Sequence, residues 1–258
     1  MKGPYAYPLP GPGPFRVEHL RPGDPYELDD GHAIVSEPSG PRHAQKNLLG
    51  ATLLDSDPAV EAAGVDIGYA LSERTLRAPD VAVGPMPEQA GFLVGVPALA
   101  LEYVERRANE ADLERKIAAL LAAGTRVVWV VRLGRERPVE VHRRGEEPTM
   151  HRQGDMLEAP GILQNPVPVD ALYDRRLAHQ HVLRNLLQRE GYASLEAIRA
   201  EGGLAQARTA LRHVLAAREL ALTPADDTRI DACTDAAELE RWLRAAAVAT
   251  SSNDVFTP

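Results

Sequence analysis

The sequence is poor in cysteine, in lysine and in long apolar runs, and each shortage excludes a class of protein. Its one cysteine, Cys233, allows neither an internal disulfide nor a zinc cluster built from several thiolates of one chain. No stretch approaches the roughly eighteen apolar residues of a membrane helix, and prolines stand where a signal peptide would carry its apolar core. We therefore expect a cytoplasmic protein with no membrane partner, in which carboxylates or histidines hold any metal.

Several sequence motifs of common enzyme classes are also missing. The sequence contains no Walker loop, no HExxH pair, no GxSxG elbow and no glycine fingerprint for phosphate binding. Nucleotide hydrolysis by a P-loop and serine hydrolase chemistry are therefore poor interpretations of this chain.

The charge distribution is uneven along the chain. The formal net charge is −8, and residues 1–174 carry 18 basic and 26 acidic side chains, whereas residues 175–258 carry 11 of each. A net acidic domain does not bind nucleic acid through overall charge, so any such contact needs a local basic patch. Acids gathered at a metal site would account for part of the imbalance, because Mg²⁺ is held by carboxylates.

Arginine is the usual cation of this chain, with 26 arginines against three lysines, Lys2, Lys46 and Lys116. A lysine kept against such a bias is typical of sites where a compact ammonium acts on a phosphate. With two other lysines present, chance explains the position of Lys116 equally well.

The chain divides into three parts by pattern. Residues 1–22 are a proline-rich tail, residues 23–174 alternate strands with helices as in an α/β domain, and residues 175–258 show only helical patterns. Within the α/β part we predict a hairpin in YELDDGHAIVSEPS, helices in PRHAQKNLLGATLLD and EADLERKIAALLAA, and strands in GVDIGYALS, APDVAVG, FLVGVPALALEYV, TRVVWVVRL and VEVHRRG, the last at the sheet edge. The helical part should contain separate helices in RRLAHQHVLRNLLQRE, SLEAIRAE and GLAQARTALRHVLAARELAL, then two more capped at Thr223-Pro224 and Asp235.

Two acids and a lysine are the candidate chemical groups. Asp80 opens one predicted strand, and Glu102 lies inside the next apolar strand, where a buried charge needs a partner. Alternation places Glu102 on the face opposite to Leu101, and Lys116 lies at the flank of the apolar helix stripe. An acid pair with Mg²⁺ and a lysine suits phosphodiester hydrolysis. A glutamate paired with arginine, a turn-capping aspartate and a solvated lysine would explain the same residues without function.

These segments, from YELDDG through the helix with His43, LRAPDVAVG and ALALEYV to DLERKIAALLAAGTRVVWVV, resemble the Uma family of restriction-endonuclease-like proteins over residues 25–174. The resemblance implies the PD-(D/E)XK nuclease fold, a mixed sheet flanked by helices. It implies a Mg²⁺- or Mn²⁺-dependent endonuclease acting on nucleic acid, with DNA as the expected substrate. Asp80 matches the family's metal-binding aspartate, Glu102 its strand acid, and Glu27 a further acid of the site.

The remaining site residues follow from the same resemblance. The lysine that the superfamily places two residues after the strand acid is replaced by Val104, and Lys116 matches the helix lysine that takes its place. His43 matches a family histidine, for which a packing or hydrogen-bonding role and a catalytic role are both open.

Two features leave other functions open. The chain reads EYVERRANEADL where the family has a serine-proline turn, so a catalytically inactive binding module on the nuclease scaffold is an alternative. Within the helical part, the tail from about residue 204 to 256 resembles the helical C-terminal segment of transposase-like nucleases and is a candidate for self-association or for partner contact. Arg106, Arg107 and Arg115 are candidates for phosphate contact or for a solvated charged face.

Overall fold

The computed structural model describes residues 13–36, 40–105 and 110–257. It divides into two compact units, one up to Arg189 and one from Glu190 onward. The first twelve residues of the predicted proline-rich tail and the two arginines after Glu105 lie outside the described residues. None of the helices in the described ranges has the length and apolarity that crossing a membrane requires.

The first unit contains all the strands of the described chain and three of its α-helices. The strands are β1 (Tyr26–Asp29), β2 (His32–Val35), β3 (Ala63–Val65), β4 (Tyr69–Ser72), β5 (Thr75–Arg77), β6 (Val81–Val83), β7 (Leu93–Val94), β8 (Leu99–Val104), β9 (Val127–Arg132), β10 (Val139–His142), β11 (Thr149–His151), β12 (Met156–Leu157) and β13 (Val167–Pro168). The helices are α1 (Pro41–Asp55), α2 (Glu110–Ala123) and α3 (Arg175–Arg189), with short 3₁₀ turns at Val17–His19 and Val169–Leu172.

Two sheets organise this unit. The first has the strand order β11-β10-β9-β8-β6-β3, and the second has β2-β1-β5-β4-β7, while β12 and β13 form a separate two-stranded sheet. Strands β8 and β9 run parallel and are joined through α2, whereas β8 and β6 run antiparallel. The sheet is therefore mixed, which confirms the predicted α/β class with helices against the sheet.

The alternation predicted for β8 is also present. Leu99, Leu101 and Tyr103 join the core cluster that contains Leu53 and Leu54 of α1. Ala100 and Val104 join a second cluster, on the other side of the sheet, with the stripe of α2. Strand β8 is buried along its whole length because a helix covers each face. Glu102 therefore lies on the α2 side, within reach of that helix.

Several predictions differ from the structure. GVDIGYALS and FLVGVPALALEYV, each predicted as one strand, each take part in two strands that belong to different sheets, β3 and β4 in the first case and β7 and β8 in the second. β5 was not predicted, because its three residues are too short to show a period. VEVHRRG is not the edge, since β11 pairs with β10 on the outer side. The two helices expected between Ser194 and Leu222 are one helix, α4 (Leu195–Ala217), because burial of its face at Leu211 and Leu215 outweighs the cost of two internal glycines.

The helix α3 packs into the first unit, so the compact units part after Arg189 rather than at the expected residue 175. The Asn185 amide donates to Ser56 Oγ at 3.1 Å, and the Asn165 amide donates to Asn185 Oδ1 at 3.0 Å. The Arg189 guanidinium bonds the carbonyls of Asp55, Ser56, Asp57 and Val60 at the end of α1. These buried polar contacts tie α3 to α1.

The second unit is helical, as predicted, and has a core of its own. It contains α4, α5 (Pro224–Ala232), α6 (Ala236–Val248) and α7 (Ser252–Phe256). Thr223 caps α5 and Asp235 caps α6, at the two predicted positions. Trp242 packs edge-on against Phe256 at 5.2 Å between ring centroids, inside a cluster that includes Leu211, Leu215 and Leu239.

Candidate active site

The register of β6 and β8 brings the two strand acids together. Val81 pairs with Leu101 across the antiparallel ladder, and one further position along the same register sets Asp80 opposite Glu102. The backbone amide of Tyr103 donates to Asp80 Oδ2 at 2.6 Å, so this carboxylate lies against the β8 backbone beside Glu102. The structure therefore unites two acids that are separate in the sequence.

Lys116 reaches the same place from α2. Its ammonium lies 2.8 Å from Glu102 Oε1 and 3.1 Å from Glu27 Oε1, and it donates to the Ala78 carbonyl at 2.7 Å. The lysine and both glutamates are largely buried, with 14%, 8% and 13% of their side chains exposed. Lys116 is thus the counter-charge that two buried carboxylates share, and not a solvated helix lysine.

Glu27 reaches the site from β1 and is held from its other side. Arg77, 1% exposed, places Nη1 3.5 Å from Glu27 Oε2 and Nη2 2.7 Å from Asp29 Oδ1. Asp29 also pairs with Arg115 at 3.1 Å, and Arg115 pairs with Asp112. Arg115 was a candidate for phosphate contact or for a solvated charged face. In the structure its guanidinium is engaged with two aspartates.

His43 and Asn47 hold Asp80 from α1. His43 Nε2 lies 3.1 Å from Asp80 Oδ1, and the Asn47 amide donates to the same oxygen at 3.2 Å. Gly50 allows this helix to approach β8, because a Cβ at that position would lie 2.7 Å from the Tyr103 hydroxyl oxygen. Of the two roles left open for His43, hydrogen bonding to the site aspartate is the one that the geometry displays.

The electrostatics of the cluster follow from burial. Burial, with the charges of Asp80 and Glu27, raises the pKa of Glu102 to about 8 against the pull of Lys116. Burial opposes the charge of Lys116, but the surrounding carboxylates Glu102, Glu27 and Asp80 raise its pKa above the ordinary value. Lys116 is therefore a cation at neutral pH, and the charged form of Glu102 depends on positive charge close to it.

The pKa of Asp80 moves the other way. Burial acts to raise it, but the hydrogen bond from His43 and the positive charges of Lys116 and His43 hold the pKa of Asp80 below its ordinary value. The same hydrogen bond raises the pKa of His43, against the effect of its own burial. Asp80 and His43 thus form a charge-assisted pair, and Asp80 is ionised across the neutral range.

Asp66 is a further acid near the site that the sequence analysis missed. It lies in the turn between β3 and β4 with a φ of 52°, a left-handed conformation that is uncommon outside glycine. Burial raises the pKa of Asp66, and the charge on Asp80 raises it further. Asn47 and Arg77 were missed as well. Nothing local distinguishes these residues in sequence, since each joins the site through a contact distant along the chain.

Two clefts meet over the acids. One has a volume of about 640 Å³ and is lined by Glu102, His43 and Arg42 among others. The second, of about 560 Å³, is lined by Asp66 and Phe92 among others. Both are lined by Glu27, Asp80 and Lys116. The acids are therefore reachable by an extended ligand from two directions.

The donor set suits a hard divalent cation, because carboxylate oxygens are the ligands that Mg²⁺ and Mn²⁺ prefer. Three carboxylates gather around one ammonium, and the pKa of Glu102 is raised by burial first and by the charges of Asp80 and Glu27, an effect that a bound cation would offset. Among residues 13–36, 40–105 and 110–257, however, no three His, Cys, Asp or Glu side chains stand in the arrangement of a ready-made metal centre. Glu27 and Glu102 point to Lys116 instead.

Comparison with known proteins agrees with this architecture. The model of the Uma2 family, described as "Putative restriction endonuclease", matches residues 15–169. The crystal structure of a putative nuclease belonging to DUF820, from Anabaena variabilis, superimposes with a TM-score of 0.55. The two sequences are 14% identical, and the superposition covers 64% of this chain and 99% of the other. The likeness therefore shows the fold alone. No curated protein matches the chain.

Proposed function

The chain belongs to the Uma2 family, and on that premise we propose that it is an endonuclease that hydrolyses phosphodiester bonds in DNA with Mg²⁺ or Mn²⁺. One observation carries the proposal: strands β1, β6 and β8 and helix α2 bring three carboxylates and one ammonium to a single buried cluster. The cluster opens into clefts of several hundred Å³, which gives a substrate strand access to it.

Asp80 and Glu102 are the residues that would hold the cation, with Glu27 in support. When bound there, a divalent cation would supply polarisation of a phosphoryl oxygen and a lowered pKa of a bound water. Asp80 is ready for this role because its hydrogen bonds keep it ionised. His43 and Asn47 fix the orientation of the Asp80 carboxylate through its Oδ1 atom and leave Oδ2 against the Tyr103 amide.

Lys116 acts as a cation and not as a base. Its pKa is raised by the surrounding carboxylates, so the ammonium keeps its proton at neutral pH. An ammonium held in a low-dielectric site stabilises negative charge that develops on the phosphate or on the leaving oxygen. Its four-carbon stem lets it turn from the two glutamates toward a bound phosphate.

The test is metal-dependent cleavage of supercoiled plasmid by the full chain, in EDTA and in millimolar Mg²⁺ or Mn²⁺. We expect Asp80→Asn, which keeps the shape of the side chain, to reduce the cleavage rate by about 10²–10³. Glu147→Gln is the matched control, because Glu147 is exposed and makes no ion pair with any described residue. Equal cleavage rates for the Asp80 variant and the wild type would refute the proposal.

One observation favours the alternative of an inactive binding module. The ammonium of Lys116 already pairs with both glutamates, and the described residues offer no ready-made three-ligand centre. On that alternative, titration calorimetry with Mn²⁺ gives no heat of binding, and the protein retains DNA without cutting it. Measurable Mn²⁺ binding that Glu102→Gln weakens supports the nuclease and excludes the module.

A further inference from the structure

Three arginines line a cleft that adjoins the acid site. The cleft has a volume of about 620 Å³ and is lined by Arg42 from α1 and by Arg135 and Arg137 from the turn between β9 and β10. Arg42 and Glu105 line both this cleft and the one above the acids. We call it the arginine cleft. A chain-like ligand lying over the acids can therefore continue into it.

The three guanidiniums are not engaged in internal ion pairs with any residue that the structure describes, whereas Arg77 and Arg132 each pair with two acids. Their like charges also act on a neighbour: the pKa of Lys46 is lowered by burial and then by the charges of Arg137 and Arg42. Positive charge is therefore gathered here without internal partners, which is typical of a surface that meets an anionic ligand.

Arg137 lies over the ring of Tyr173. Its guanidinium lies 5.6 Å from the centroid of the Tyr173 ring, and the Tyr173 hydroxyl donates to the Pro138 carbonyl at 3.0 Å. Its φ of 49° is a left-handed conformation, unusual for a residue that precedes proline. Such backbone persists only where surrounding contacts enforce it. A guanidinium that lies over an aromatic ring can still donate its N–H groups to a ligand.

Acids in the same cleft narrow the choice of ligand. Glu105, Glu136 and Asp170 also line it, so the cleft has no strong overall field for a free anion. Asp170 is engaged, since its Oδ2 accepts the Gly154 amide at 3.0 Å. Binding at such a surface requires a ligand that presents separate negative charges at the guanidiniums. The repeated phosphates of a nucleic-acid strand do this, and a planar guanidinium fork matches two oxygens of each phosphate.

We propose that Arg42, Arg135 and Arg137 bind the phosphates that flank the phosphodiester at the acid site, and so hold the strand in place for cleavage. This inference rests on the proposed function, since the acid site defines which phosphate is flanked. It also explains how a domain with an acidic net charge binds nucleic acid. Such a domain needs a local basic patch, and the arginine cleft supplies one.

The experiment measures strand binding without cleavage. Fluorescence anisotropy of the full chain with a labelled DNA duplex, and with one of its single strands, is recorded in EDTA at several KCl concentrations. The triple variant Arg42→Gln, Arg135→Gln, Arg137→Gln should bind roughly tenfold more weakly, and the slope of log Kd against log[KCl] should fall by about two to three. In cleavage assays with Mg²⁺, KM should rise while kcat stays within about threefold.

The matched control is Arg21→Gln, Arg144→Gln, Arg184→Gln, which removes the same charge from exposed positions outside the cleft that carry no ion pair to any described residue. It should bind within twofold of the wild type. Equal losses of DNA affinity in the two triple variants would overturn the proposal. A wild type that binds neither the duplex nor the single strand would overturn it as well. Competition by poly-glutamate as strong as that by DNA, per charge, would show a general polyanion surface and also overturn it.

The two proposals fail in different ways. If the wild type binds DNA through these arginines but never cuts it, the nuclease function fails while the arginine-dependent salt slope supports phosphate binding. If the wild type cuts and the two triple variants cut with the same KM, the arginine cleft fails while the nuclease function stands.

Discussion

Replacing Lys116 by methionine tests the central feature of the site, the ammonium shared by two buried glutamates. Methionine keeps the length and most of the volume of the side chain but removes the charge. The ammonium lies 2.8 Å from Glu102 and 3.1 Å from Glu27, and neither glutamate is more than 13% exposed. The change leaves these carboxylates close together with less counter-charge, and it also removes the donor to the Ala78 carbonyl.

The expected loss of stability is large for a single substitution. Removing one partner of a buried ion pair costs about 3–5 kcal/mol, and the lost hydrogen bond adds about 1 kcal/mol. A cation that binds between the acids replaces the missing charge. At a hundred times its Kd, such a cation stabilises the folded state by about 2.7 kcal/mol. The variant should therefore gain more stability from Mn²⁺ than the wild type does, because no ammonium competes for the glutamates.

The assay is urea unfolding at pH 7.5 in EDTA and in millimolar Mn²⁺, followed by circular dichroism. Arg115→Met is the control, because it lies one residue away on α2 but is 51% exposed, and surface pairs contribute about 0–1 kcal/mol. If Lys116→Met is as stable as the wild type in EDTA, the buried-pair reasoning is wrong. If Mn²⁺ stabilises neither protein, the acids do not form a cation site.

Two further predictions concern the framework of the site. Gly50→Ala should destabilise the protein by about 1–3 kcal/mol and slow cleavage, because the added methyl group meets the buried Tyr103 hydroxyl and pushes α1 from β8. Thermal melts and plasmid cleavage measure both effects, and an unchanged melting temperature would contradict the packing argument. A fragment 1–189 should fold cooperatively, whereas 1–174 should lose stability because α3 is tied to α1. Circular dichroism melts compare the two fragments, and equal melting temperatures would show that α3 is dispensable.

The position of the lysine has a packing explanation. Val104 stands two residues after Glu102 on the same face of β8, where the superfamily pattern has its lysine. In the structure Val104 is 6% exposed and packs with Leu113 and Ile117 of α2. The strand position therefore serves the contact between sheet and helix. This packing fixes the position of α2 against β8. From that position Lys116, one residue before Ile117, reaches Glu102.

Sequence alone predicted the elements whose patterns are local. The bounds of α1 and α2, the apolar faces of β8 and the caps of α5 and α6 all match, because helical and strand periods and cap residues are written in neighbouring positions. Resemblance to a known family selected Asp80, Glu102 and Glu27 from the many acids of the chain, and Lys116 from its three lysines. Their catalytic roles stay predictions until cleavage is measured.

Only the tertiary structure decided which distant residues share the site. Asn47, Arg77 and Asp66 join the acids through side-chain contacts or proximity across separate elements, and Arg42 meets Arg135 and Arg137 where a helix end faces a strand turn. The domain limit moved for the same reason, since the pattern of α3 is that of any polar helix and its buried contacts to α1 are long-range. Periodicity tells which face of an element is buried. What that face meets depends on packing between segments far apart in the chain.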